Sequence, residues 1–134
     1  MHMNDILILY YSKNDSTKKM ARAIARGIES SNLAASSIRT VHSDSYKESD
    51  DILVTKEDLK KCSGMIIGSP THFGNMAAPL KAFFDSTTDE WFNNTLESKL
   101  GGVFTSTSSM HGGQETTLIS MMMPLIHHGM IIAG

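Results

Sequence analysis

Apolar and polar positions fall in alternating blocks along the chain. Ile6, Leu7, Ile8, Leu9 and Tyr10 make a continuous apolar run within residues 5–11, as expected of a strand buried on both faces of a parallel sheet. Residues 12–18 are polar, and Met20, Ala21, Ile24, Ala25 and Ile28 then recur at helical spacing, with Ser16 or Thr17 available as N-cap. Residues 33–41 read as a weak strand, and 42–51 as a polar, acidic connection without period. The pattern predicts a short helix over Lys56–Lys61, with Thr55 as cap and Glu57 or Asp58 in its first turn. A strand over 64–68 follows, then a helix beginning near Asn75 that carries Pro79 early and presents Met76, Leu80, Phe83 and Phe84. Residues 85–96 form an excursion before a strand over 100–105. A helix over 114–128 buries Leu118, Met121, Met122 and Leu125, bends at Pro124 and closes at Gly129. A last strand begins in 130–133.

Strands alternating with helices predict an α/β, doubly wound parallel sheet of five strands. The alternation calls for a further helix after 130–133, and none is present in these 134 residues. One sheet face would then be bare, so the sequence is a truncated form or another chain covers that face.

Three polar loops, 12–17, 69–75 and 106–113, each follow a buried strand and precede a helix. In such a sheet they share one edge and can converge on one ligand. The stretch 68–79 is shaped rather than merely flexible, because Gly68 and Gly74 permit unusual backbone angles and Pro70 fixes one. The first loop offers hydroxyls and helix-terminal amides that suit a phosphate without any arginine. It has neither the Walker pattern nor G-x-G-x-x-G, which argues against nucleoside triphosphates and dinucleotides held in the usual way.

Composition narrows this only slightly. At 134 residues, with 40% hydrophobic and 19% charged, the chain suits one domain spanning 1–134. A net charge of -2 provides no basic field for nucleic acid. Cys62 is the single cysteine and reads as a small buried hydrophobe; with no secretory leader pattern, the chain reads as cytoplasmic. No apolar run approaches the roughly 20 residues needed to cross a bilayer. Ten methionines, Met121, Met122 and Met123 among them, read as core filling. The Met1-His2-Met3 start is compatible with a cloning remnant ahead of a native Met3.

Tyr10-Tyr11-Ser12, the Ser-Pro-Thr-His-Phe-Gly-Asn-Met stretch at 69–76, and Gly112-Gly113-Gln114-Glu115-Thr116-Thr117 with His127-His128-Gly129-Met130 resemble the flavodoxin superfamily. Within it the chain is most similar to the FMN-dependent NAD(P)H:quinone oxidoreductases related to the tryptophan-repressor-binding protein. The resemblance implies a flavodoxin-like sheet of order 2-1-3-4-5 and an FMN cofactor. It implies that hydride passes from NAD(P)H to the flavin and two electrons then pass to a quinone, in a ping-pong scheme. It further implies a homo-oligomer, dimer or tetramer.

Position by position, the resemblance puts the FMN phosphate on Ser12, Asn14, Ser16 and Thr17. It lays the ring system against Thr71, His72, Phe73, Gly74 and Asn75, and against Ser106, Thr107, Ser108, Ser109, His111, Gly112 and Gly113. It makes His128 the catalytic candidate, binding or polarising the quinone oxygen, although a histidine at a helix C-terminus also serves as dipole partner and cap. It puts Trp91 in an excursion that reaches a neighbouring subunit's active site, where plain packing is the alternative. His127 is adjacent to His128 and points elsewhere on a helix, which argues against a two-histidine metal site.

The chain departs from that family in three places. Asp15 stands where the phosphate loop usually has glycine; aspartate tolerates unusual backbone angles, but its charge at about 4 Å from a phosphate would cost about 1 to 4 kcal/mol. Asn14 replaces an aromatic residue of some relatives, and the final helix is missing. Two other readings stay open: an electron-carrier flavodoxin, against whose usual acidic docking face a net charge of only -2 speaks, and a flavin-free interaction scaffold, in which Asp15 and the absent helix have removed binding. No G-x-S-x-G elbow is present to suggest a hydrolase.

Overall fold

A computed structural model of the chain describes residues 4–44 and 50–134. Part of the polar connection expected at 42–51, and the Met1-His2-Met3 start, lie outside the described residues. The strands are β1 (Asn4–Tyr10), β2 (Ala34–Thr40), β3 (Gly64–Pro70), β4 (Leu100–Ser106) and β5 (Ile131–Ile132). The helices are α1 (Ser16–Ser30), α2 (Lys56–Lys61), α3 (Ala78–Asp85), α4 (Thr88–Phe92) and α5 (Gln114–His127). The strands form one parallel sheet in the order β2-β1-β3-β4-β5, as the sequence reading implies.

Alternation along β1 divides the core. Leu7, Leu9 and Tyr11 face one side, where Leu59 of α2, Leu80 and Phe84 of α3 and Met121 and Leu125 of α5 pack on them. Ile8 and Tyr10 face the other, against Ala21 and Ala25 of α1 and Phe104 of β4. Both faces of β1 are therefore buried, which is why its sequence is apolar without alternation. The chain turns to opposite sides of β1 when it leaves for β2 and later returns to β3, so a crevice opens at the carboxyl ends of β1 and β3.

Several local expectations are corrected. Neither Ser16 nor Thr17 caps α1: the N-cap is Asp15, held at φ 65° with no side-chain cap bond, and Thr17 is buried inside the first turn. α3 starts at Ala78 rather than near Asn75, because residues 72–75 are committed to a tight turn. His72 and Asn75 exchange backbone hydrogen bonds of 2.9 and 3.1 Å around Phe73 (φ 53°) and Gly74 (φ 72°). Two successive positive φ values mark the turn type that reverses a chain most tightly. On α5, Met121 and Leu125 are buried with Thr117, whereas Leu118 and Met122 are only half-buried. α5 continues through Pro124 as one helix to His127, with His128 as its C-cap, and Gly129 follows at φ 80°. The excursion at 85–96 contains α4, and β5 is two residues long. Thr55 caps α2 as expected, in a reciprocal capping box with Asp58.

Candidate active site

The three loops expected at one sheet edge do meet. Ser12, Asn14, Ser16 and Thr17 from the β1–α1 loop, Thr71 and His72 from the turn after β3, and Ser106, Thr107 and Ser108 from the end of β4 line one cavity of ≈ 200 Å³. Lys13 and Pro70 complete its wall; the sequence reading gives Pro70 only a shaping role and does not single out Lys13. Phe73, Gly74, Asn75, Ser109, His111, Gly112 and Gly113 lie on the same loops but not on the cavity wall. Phe73 is fully exposed at the tip of its turn.

Hydrogen bonds tie the loops to one another. Thr17 Oγ1 lies 3.2 Å from Ser106 Oγ, and the Thr71 amide donates to the Ser106 carbonyl at 2.9 Å. Buried Ser69 accepts from the Ala77 amide at 2.8 Å and so holds the far side of the turn. The approach of 71–75 to 106–113 is close: a Cβ on Gly113 would stand 2.9 Å from the Gly74 Cα. A Cβ on Gly112 would meet Ser109 Oγ at 2.2 Å. Gly113 is required by space and by its φ of 100°, whereas a Cβ on Gly112 would meet only side-chain hydroxyls that can rotate.

The phosphate end of the cavity is prepared for an anion. Ser12 Oγ is buried without a hydrogen-bond partner, and the Asp15 side chain caps none of the first-turn amides of α1. Buried polar atoms are normally satisfied, so an orphaned hydroxyl beside uncapped helix amides marks a place where a ligand's oxygens belong. Asp15 itself is exposed and is not part of the wall.

His128 is somewhere else. It is buried, and with Trp91, His127, Thr87 and Lys81 it lines a second, larger cavity of ≈ 420 Å³ between α3, α4 and α5. Its Nε2 lies 2.8 Å from Thr87 Oγ1, whose own proton goes to the Phe84 carbonyl at 2.6 Å. Thr87 must therefore accept, which puts the His128 proton on Nε2 and leaves Nδ1 as a lone pair with no protein partner. Burial lowers the His128 pKa below its usual 6.5, against the opposing pull of the Glu90 carboxylate. Near neutral pH the ring is uncharged, so its free nitrogen can accept a hydrogen bond but has no proton to donate to a quinone oxygen. Glu90 is itself buried, 3.6 Å from Lys56 Nζ. No sequence signal separated His128 from the three-loop cavity, because the helix it closes follows directly on the 106–113 loop, whose first residues line that cavity.

Among the described residues, no group of three or more His, Cys, Asp or Glu is placed to hold a metal, and no helix is long and apolar enough to cross a membrane. A family model described as NADPH-dependent FMN reductase matches residues 5–134. The chain is 38% identical over 141 residues to an NAD(P)H dehydrogenase (quinone) of Gluconacetobacter diazotrophicus, covering 98% of this chain and 71% of that protein. It is 41% identical over 142 residues to a protein of the same name from Paracoccus denitrificans, covering 98% and 68%. Among solved structures it is similar to a flavodoxin, WrbA-like protein from Agrobacterium tumefaciens, with TM-score 0.79, 24% identity and coverage of 96% of this chain and 75% of that one. It is also similar to a flavodoxin from the domain Archaea, with TM-score 0.75, 26% identity and coverage of 96% and 78%.

Proposed function

The chain belongs to the NADPH-dependent FMN reductase family, and from that premise we propose that it is an FMN-dependent oxidoreductase carrying electrons from NAD(P)H to a quinone. The observation that carries the assignment to this cavity is the orphaned, buried Ser12 hydroxyl at the meeting point of three loops. FMN bound there would supply the redox chemistry, hydride acceptance from NAD(P)H and two-electron delivery to a quinone in a ping-pong order.

The chain's own residues bind and orient. Ser12, Asn14, Ser16 and Thr17, with the first-turn amides of α1, hold the phosphate, and Thr17, buried and bonded to Ser106, also ties that loop to the end of β4. Thr71 and His72 on one loop and Ser106, Thr107 and Ser108 on the other form the two walls for the ring system, and the Gly74–Gly113 contact joins the same two loops. Wall spacing matters because reacting atoms must be held near 3 to 3.5 Å in alignment, about the thickness of one ring contact.

The working unit in this reading is a homo-oligomer. Trp91 and Phe92 on α4 and Ile119, Met123 and Ile126 along α5 are exposed, and Trp91 and Met123 of this apolar set line the ≈ 420 Å³ cavity that holds His128. A second copy seated there covers that set and brings His128 and Trp91 to its own three-loop site, where the His128 Nδ1 lone pair accepts a hydrogen bond from a hydroxyl of the quinol product. A cytoplasmic location goes with this reading, since the reductant comes from the intracellular nicotinamide pool.

The test is titration of folded apo-protein with FMN, followed by NAD(P)H oxidation with a simple benzoquinone. Saturable binding at one FMN per chain and quinone-dependent turnover are expected. Absence of FMN binding by folded protein overturns the cavity assignment; binding without turnover in the assembled oligomer overturns the activity.

A further inference from the structure

We propose that Thr87 is a positioning residue that sets which redox form of a small ring the cavity between α3, α4 and α5 retains. By accepting the Nε2 proton it holds His128 in one tautomer, whose other nitrogen takes a hydrogen bond but cannot give one, so the cavity favours a ring hydroxyl over a ring carbonyl. The inference deepens the quinone reading above and rests on it for the identity of the ring.

The cavity lies within one chain and, at ≈ 420 Å³, has room for a substituted six-membered ring. Phe84, Trp91, Met123 and Pro124 give it apolar walls. Of the residues on its wall, only Thr87 and His128 are both polar and buried. Lys81 pairs with Asp85 at 2.6 Å, and the Ser120 hydroxyl donates to the Thr117 carbonyl and accepts from the Met76 amide. Thr88 and His127 are exposed.

The direction of the bonds at Thr87 follows from what each partner can do. A carbonyl cannot donate, so the single Thr87 hydroxyl proton goes to the Phe84 oxygen at 2.6 Å, and the ring nitrogen 2.8 Å away must supply the other proton. His128 Nδ1 is buried with no donor from the chain, and with the ring uncharged it keeps its lone pair. A quinol hydroxyl satisfies that lone pair. A quinone oxygen brings only lone pairs of its own and leaves Nδ1 without a donor, a difference on which a buried site discriminates strongly. The cavity therefore holds product more tightly than substrate.

The test is a titration of the full-length chain without flavin, in oxygen-free buffer near neutral pH, with tetramethylhydroquinone and with tetramethylbenzoquinone, whose blocked ring carbons do not alkylate the protein. Trp91 is the single tryptophan and lines the cavity, so its indole N–H resonance reports occupancy. In the wild type the quinol is expected to bind roughly tenfold more tightly than the quinone. Thr87→Val is expected to bring the two affinities to within about twofold of each other, and Thr87→Ser, which keeps the hydroxyl, to retain the wild-type ratio. A role in packing alone would weaken both ligands together and leave the ratio unchanged. Thr87→Ala, which removes the same oxygen without setting a methyl against the imidazole, takes the place of the valine variant if that one does not fold. Equal affinities in the wild type, no shift with either ring, or a wild-type ratio kept by folded Thr87→Val each overturn the proposal. FMN binding and quinone turnover are measured on the same preparations. Turnover without a quinol preference overturns this proposal and leaves the FMN reading standing, whereas a quinol preference in protein that binds no FMN supports this proposal and overturns that reading.

Discussion

Gly113 and Gly74 are in backbone contact across the site: a Cβ on Gly113 would lie 2.9 Å from the Gly74 Cα and 3.3 Å from its amide nitrogen. Gly113 also occupies φ 100° at the N-terminus of α5, and Gly74 sits at φ 72° in the turn after β3. Two loops from neighbouring strands are thus spaced by glycine on both sides, with no side chain available to adjust the gap.

Gly113→Ala is expected to force that gap open and to place a Cβ at an unfavourable φ. It should destabilise the protein by about 1 to 3 kcal/mol and weaken FMN binding at least roughly tenfold. Gly27→Ala is the control, because a Cβ there meets nothing within 4 Å inside α1. It should raise stability by about 0.5 to 1 kcal/mol and leave FMN affinity alone. Urea unfolding and flavin titration of both variants separate the two effects. Normal FMN affinity in Gly113→Ala would show that the spacing does not define the slot.

Asp15 adopts the left-handed backbone that glycine prefers, at φ 65° and ψ -8°, while its carboxylate stays exposed. Asp15→Gly is expected to change stability little, because relief of backbone strain is offset by a more flexible unfolded chain. It removes a negative charge near the phosphate loop and should tighten FMN binding by up to roughly tenfold at low salt and less at high salt. Asp15→Ala removes the same charge but cannot occupy that conformation cheaply, and should lose about 1 kcal/mol of stability. FMN affinity that falls in Asp15→Gly would assign the carboxylate a binding role instead.

The sheet and the meeting of the loops were legible because burial on both faces leaves little choice of residue. β1, β3 and β4 appear as apolar or glycine-rich runs, and their order follows from the family resemblance. β2 reads weakly because Ala34, Ala35, Ser36 and Ser37 are only half-buried at the edge of the sheet. The turn at 72–75 was hidden because Phe73, an aromatic residue, occupies a backbone region usually left to glycine or asparagine. The same limit applies to Asp15, whose role as N-cap residue comes from chain geometry and not from the side-chain bond that Ser16 or Thr17 would have offered. α4 is too short to show a period. The place of His128 was not legible, because sequence locates it at a helix end but not against Thr87, which is 41 positions away.

Asp51 joins three elements near the ligand edge, accepting from the buried hydroxyl of Tyr10 on β1 and from Arg22 on α1. Burial alone would raise its pKa, but those two hydrogen bonds, with the attraction of Arg22 and Lys18, hold it below its ordinary 3.8. A carboxyl depressed by folding contributes stability that is complete above its unfolded value and is lost as pH falls through the folded one. Asp51→Asn should therefore be less stable than wild type at neutral pH, with the difference shrinking below about pH 4. Tyr10→Phe should cost about 1 to 2 kcal/mol at pH 7 and less in acid. Denaturant midpoints between pH 2 and 7 test this, and a difference that is independent of pH would show that the carboxylate is not what the two donors hold.

His128 behaves in the opposite sense to a salt-bridged histidine, because burial depresses its pKa below 6.5 and the folded state favours the neutral ring. Its contribution to stability is complete above the unfolded pKa and is lost as pH falls towards the folded one. Between about pH 7.5 and 5, the wild type should lose more stability than His128→Gln, and the difference between the two curves isolates this group from the other histidines. Thr87→Val removes the acceptor of the Nε2 proton, leaves a buried N–H unsatisfied, and should cost about 1 to 3 kcal/mol, whereas Thr87→Ser should be nearly neutral. Nitrogen-15 shifts of the imidazole report the tautomer directly: a protonated Nε2 and a bare Nδ1 are expected at pH 7. The reverse pattern would mean that Thr87 donates to the ring, and it would remove the free acceptor that the quinol step in the proposed oligomer requires.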